Sequence, residues 1–150
     1  MAEPPRPYAQ RKRDALARLE NDVDAWVASA SADGAANLAP LSYHWDGTAL
    51  TFAAPRASHT ARNLLRSGRA RVAVGTTRDV VLLEGAAAEL PRGEDVELED
   101  AHAQATGFDP RTLRGDYVYL RFVPEWIQAW REENELPGRD LMRDGRWLDS

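Results

Sequence analysis

Residues 41–75 read LSYHWDGTALTFAAPRASHTARNLLRSGRARVAVG, and the fold is decided there. The order is strand, tight turn, strand, polar loop, short helix, strand. Asp46-Gly47 stands between Leu41–Trp45 and Thr48–Ala54, runs with aromatic and β-branched residues. Asp-Gly in that position predicts a two-residue hairpin with both turn residues at positive φ. The second strand empties into Pro55-Arg56-Ala57-Ser58-His59-Thr60, and the helical run Ala61–Arg66 follows. Hydroxyls and an arginine thus meet free backbone N–H groups and the positive end of a helix dipole. That combination suits an anion, most simply a phosphate.

Upstream, Ala15, Leu16 and Leu19 fall at helical spacing, which predicts an amphipathic helix over Ala9–Asn21. Val23–Ser31 reads as a strand, Asp33-Gly34 as a turn, and Ala36–His44 as the returning strand. Downstream, Arg69–Thr76 carries Val72 and Val74 on one face, and Val80–Leu90 is a long strand broken by Gly85. A glycine inside a strand often marks a bulge, as a closing sheet needs. Gly93–Thr106 reads as a covering helix with Glu94–Asp100 as its solvated face and His102 exposed. Tyr117–Val123 and Trp126–Arg131 are expected as two strands separated by Pro124. Residues 1–7 look disordered and 132–150 form an irregular tail that Leu141 and Trp147 could anchor. The expectation is one mainly β domain over 1–150, a six- to seven-stranded antiparallel barrel with flanking helices.

Composition narrows the functions. The net charge of −5 argues against nucleic acid, and no apolar run reaches the roughly 18 residues of a membrane span. No leader is visible, so a cytoplasmic protein is expected. There is no cysteine, which removes disulfides, thiolate metal sites and thiol catalysis. His44, His59 and His102 are scattered without ligand spacing, so no metal site is expected. Phosphate-loop, dinucleotide-binding and nucleophile-elbow motifs are all missing. Lys12 is the only lysine beside eighteen arginines.

The order of elements in 41–75, with Ser58 in the small polar loop and Arg62-Asn63-Leu64 in the short helix, resembles the pyridoxamine 5′-phosphate oxidase-like superfamily of split β-barrels. The run Arg121-Phe122-Val123-Pro124-Glu125-Trp126-Ile127-Gln128-Ala129-Trp130 is similar to that family's late strand pair. The likeness covers about residues 20–131. It implies FMN, or in one branch the deazaflavin F420, bound at the interface of a homodimer. By the same resemblance Arg56, Ser58, His59, Thr60, Arg62 and Asn63 would surround the phosphate. Leu41, Ser42 and Tyr43 would line the flavin ring. Trp130 would reach the cofactor of the other subunit, with Arg139 or Arg143 joining it. Oxidases of pyridoxamine phosphate use a lysine near the phosphate; here His59 stands close to that position, which points away from vitamin B6 oxidation.

Each of these residues also has a plainer reading. Ser58 and Thr60 suit a helix N-cap, Arg56 and Arg62 a solvated surface, and Tyr43, Trp126 and Trp130 a core or a subunit interface. The chain offers no obvious nucleophile, and with a flavin none is needed, since the cofactor carries the redox chemistry. Three functions follow: an FMN oxidoreductase acting on a small organic substrate, an F420H2-dependent reductase, or a flavin- or haem-carrying protein without catalysis.

Overall fold

Alternation along the strands sets the architecture of the computed structural model, which describes residues 3–150. Eight strands form one antiparallel sheet: β1 (Asp24–Ala30), β2 (Ala36–Trp45), β3 (Leu50–Pro55), β4 (Arg69–Thr76), β5 (Asp79–Leu90), β6 (Tyr117–Trp130), β7 (Asp140–Arg143) and β8 (Arg146–Trp147). Their order is β3-β2-β1-β4-β5-β6-β7-β8, and a further β3–β6 pairing closes the first six into a barrel. Ala25 and Val27, Leu50 and Phe52, Val72 and Val74, Leu120 and Phe122 point inward at every second position and are buried. Three helices complete the fold: α1 (Tyr8–Asn21), α2 (His59–Ser67) and α3 (Val96–Thr106). Ala15 and Leu19 from α1 join Ala61 and Leu64 from α2 in the same core.

Several local expectations change. Asp46 does not adopt positive φ, because its carboxylate accepts from the backbone N–H groups of Thr48 and Ala49, both at 2.9 Å. The hairpin is therefore a wider loop in which Gly47 alone is left-handed, at φ +97°. The tight turn occurs instead at Asp144-Gly145 (φ +53° and +76°), and it makes a hairpin of β7 and β8 inside the stretch read as irregular. Leu141 and Met142, both buried, give that hairpin its grip. Tyr117–Trp130 is one strand rather than two, because the irregularity lies across from Pro124. The β5 register shifts between Glu84 and Gly85, and Gly85 pairs with Pro124. In α3, Glu99 and His102 are buried, against the expected solvated face.

The lead-in is also held from residue 3 onward; Met1 and Ala2 lie outside the described residues. The Arg6 guanidinium meets Glu135 at 2.7 Å and Asp14 at 3.1 Å. Asp14 and Asp79 both reach Arg131, Asp79 also pairs with Arg18, and Arg18 with Asp22. Hydrogen bonds from Arg6 hold the Glu135 carboxyl down at about 2. A carboxyl depressed in the folded state stabilises the protein above its ordinary value of 4.5 and loses that effect as pH falls toward 2. Glu135→Gln is expected to remove on the order of 3 kcal/mol at pH 7 and to flatten stability below pH 4.5, as denaturant melts at several pH values would report.

Candidate functional site

The strand-loop-helix corner forms where the sequence indicates, but most of its groups are turned inward or already engaged. Ser58 caps α2, its Oγ accepting from the Ala61 N–H at 3.1 Å. Thr60 and Asn63 are buried; Thr60 accepts from Asn37 of β2, and Asn63 donates to Ser29 of β1. These bonds fasten α2 across the ends of the two strands. Arg56 grips Glu89 through both terminal nitrogens (3.1 and 2.9 Å) and Asp116 through Nε at 3.1 Å, contacts that push its pKa up. An anion at Arg56 would have to displace two carboxylates. His59 and Arg62 are exposed without hydrogen-bond or ion-pair partners among the described residues, and Arg66 reaches only the Ala30 carbonyl, at 2.7 Å. Positions 59, 62 and 66 share one side of α2, so the corner presents a histidine and two arginines to solvent.

The ring-lining residues divide by parity. Tyr43 is 1% exposed, and its hydroxyl donates to the Leu19 carbonyl at 2.9 Å. Its side chain belongs to the core and is unavailable to a surface slot. Leu41 packs against that core as well, and Ser42 points outward with its hydroxyl on Asp24. Trp130 is half-buried beneath the Arg139 guanidinium, 6.0 Å from the ring centre. Arg143 pairs with Asp140, and Trp147 lies under Lys12 at 4.6 Å.

What the sequence reading missed is the outside of the barrel. Strand register aligns Pro40, Trp26, Ala73, Leu82 and Gln128 across β2-β1-β4-β5-β6, beside a second row of Leu38, Ala28, Arg71, Glu84 and Trp126. Trp26 and Leu38 are 51% and 63% exposed, so the apolar end of this face is bare. Asp24, Trp26, Pro40, Ala73 and Gly75 line a shallow depression in it. The other end is polar: Arg71 pairs with Glu84 at 2.9 Å and lies 5.3 Å from the Trp126 ring centre. The signal was present in the sequence, since Trp26 sits out of phase with Ala25 and Val27, and Leu38 and Pro40 out of phase with Leu41 and Tyr43. Trp26, Leu38 and Pro40 together make an exposed apolar patch, which is a candidate interaction surface.

The family model for pyridoxamine 5′-phosphate oxidase matches residues 13–131. Solved structures with the same fold include a heme-binding protein of Mycobacterium smegmatis (18% identity, 97% of this chain and 60% of that one, TM-score 0.72). A FAD-binding protein of Mesorhizobium loti shares 19% identity over 77% of this chain and 90% of its own, with a TM-score of 0.62. An F420 reductase shares 16% over 74% and 93%, with a TM-score of 0.61. No curated protein matches the sequence. No helix among the described residues is long and apolar enough to cross a membrane.

Proposed function

The chain belongs to the pyridoxamine 5′-phosphate oxidase family, and we propose that it is an FMN-dependent oxidoreductase, acting as a homodimer on a small organic substrate. The observation that carries this reading is the bare apolar patch of Trp26, Leu38 and Pro40 on the same molecule as the exposed arginines of α2. A flavin mononucleotide has the matching pair of parts, a flat apolar ring and a charged phosphate. His59, Arg62 and Arg66 would take the phosphate, with the N-terminal N–H groups of α2 adding to their field. Trp26 and Pro40 would wall one side of the ring. One copy of the barrel offers only one wall, and a second copy would supply the other and exclude water.

The bound flavin would supply the hydride chemistry; the protein's part is to bind, orient and dehydrate it. F420 is the second reading, favoured by the F420 reductase among proteins of this fold. A third, a flavin or haem carrier without catalysis, draws on the heme-binding protein.

Visible spectra recorded while FMN, then F420, is titrated into the purified protein decide among them. Saturable FMN binding with substrate-dependent bleaching is expected; binding of F420 alone moves the assignment to the reductase. Tight FMN without turnover would leave a carrier. Arg62→Ala should raise the FMN Kd by about tenfold or more, the worth of one charge-assisted contact. Arg56→Ala should raise it less, because Glu89 and Asp116 already hold that side chain. The reverse ranking would return the phosphate to Arg56.

A further inference from the structure

We propose that α3 is an acid-released flap, held against the barrel by an uncharged His102 and lifted when that imidazole takes up a proton. The helix is attached in an unusual way. Its only buried residues are Glu99 and His102, both ionisable, while Val96 is 52% exposed. An amphipathic helix normally docks through an apolar stripe, and α3 lacks a deep one.

The surface beneath α3 is equally polar. Thr51 and Arg121 are cross-strand partners of β3 and β6, and Ala53 faces Tyr119 on the same pair. All four point away from the core side chains Phe52, Leu120 and Phe122, onto the side of β2 and β3 that α3 covers. His102 meets the Tyr119 ring edge-on, with centroids 5.7 Å apart. Among the described residues, five buried side-chain N or O atoms have no partner. Four of them, Thr51 Oγ1, His102 Nδ1, Tyr119 OH and Arg121 Nε, lie on this side of the barrel. Buried polar atoms left unpaired make the closed state costly there and nowhere else to the same degree.

Among the charged groups around His102 one acid, Asp109, favours a proton there, and it is already engaged by Arg111. From β2 comes His44 and from β6 the neutral Tyr119, with Arg111 following in the segment after α3. Asp109 is the acid that favours the imidazolium, but Arg111 holds it with Nε at 2.8 Å. On α3 itself, the Glu99 carboxylate accepts from the Gly93 N–H at 2.6 Å and faces Arg111 at 4.0 Å. Burial foremost, then His44, pushes His102 down from 6.5 to about 4. In an open α3 the imidazole returns to water and its ordinary value. Opening therefore becomes more favourable by about tenfold for each pH step from 6.5 toward 4.5, reaching about 150-fold near pH 4. Gly93 and Gly107, both at positive φ with open space where a side chain would stand, flank the helix.

Amide hydrogen exchange on the full chain from pH 7.5 to 4, each rate referenced to the unfolded chain at that pH, tests this. Peptides from 96–106 should lose about 150-fold of their protection by pH 4, while those from 118–122 and 81–84 keep theirs. His102→Leu, which cannot titrate, should flatten the α3 profile, and His44→Gln should retain the transition. With three histidines in the chain, NMR can also follow the His102 ring in the wild type, so the result does not depend on the variant folding. Joint loss of protection in α3 and the barrel, or a His102 that titrates near 6.5 with α3 still protected, would overturn the proposal.

Discussion

Gly85→Val is expected to prevent the barrel from forming, or to lower Tm by about 10 °C or more. A Cβ at that position would stand 2.1 Å from the Val123 carbonyl oxygen and 2.8 Å from the Pro124 Cα. Both obstacles are backbone, so no rotamer change relieves them. Moving β6 away would strip the longest pairing in the sheet, eleven register pairs from Val80 to Leu90. Overpacking against an immovable neighbour costs more than about 3 kcal/mol, which for a chain of this size corresponds to that fall in Tm. Gly47→Ala is the contrast: φ is +97° there, but nothing lies within 4 Å of the new methyl. Backbone strain alone should cost about 1 kcal/mol. Thermal melts of the two variants should differ by several degrees, and equal melts would remove the steric account of the bulge.

Arg11→Met is expected to release the C-terminal hairpin and cost roughly 3 kcal/mol. Arg11 is 4% exposed, and its Nη1 donates to the carbonyls of Ala129, Glu135 and Gly138 at 3.3, 2.9 and 3.1 Å. Methionine fills the space but leaves these acceptors without their donor, at about 1–3 kcal/mol for each one that water cannot reach. The damage should be local. Exchange protection in 136–148 and the emission of Trp147 should change before the barrel does. A lysine at the same place should rescue only in part, since an ammonium lacks the planar fork of the guanidinium.

The barrel was legible because its cues are short-range. Leu50-Phe52-Ala54 and Val72-Val74 alternate cleanly, and Gly68, with φ +69°, ends α2 where the pattern ends. The tail hid its hairpin despite carrying a third Asp-Gly pair at 144–145, because strands of four and two residues are too short for alternation to register. His102 was misread for a different reason: acids surround it in sequence, and only tertiary packing puts Tyr119 beside it. At the corner, residue types indicated a phosphate, but sequence could not reveal that Glu89 and Asp116, 33 and 60 positions away, meet Arg56. The bare outer patch was missed although Trp26, Leu38 and Pro40 carry the solvent parity, because only strand register sets them side by side.

The β3–β6 seam has a consequence for how the chain is made. Leu50 pairs with Phe122, and every other link of that seam spans a similar stretch of sequence. Strands β1 to β5 can pair as they leave the ribosome, but the sheet stays open along β3 until β6 emerges. Closure across such a distance is the slow step of a β fold, since loop entropy must be overcome before the contacts form. Until then Leu50, Phe52 and Leu83 face solvent on a sheet with an unpaired edge. The interval is longest when synthesis is slow, and it is then that this protein most needs a chaperone.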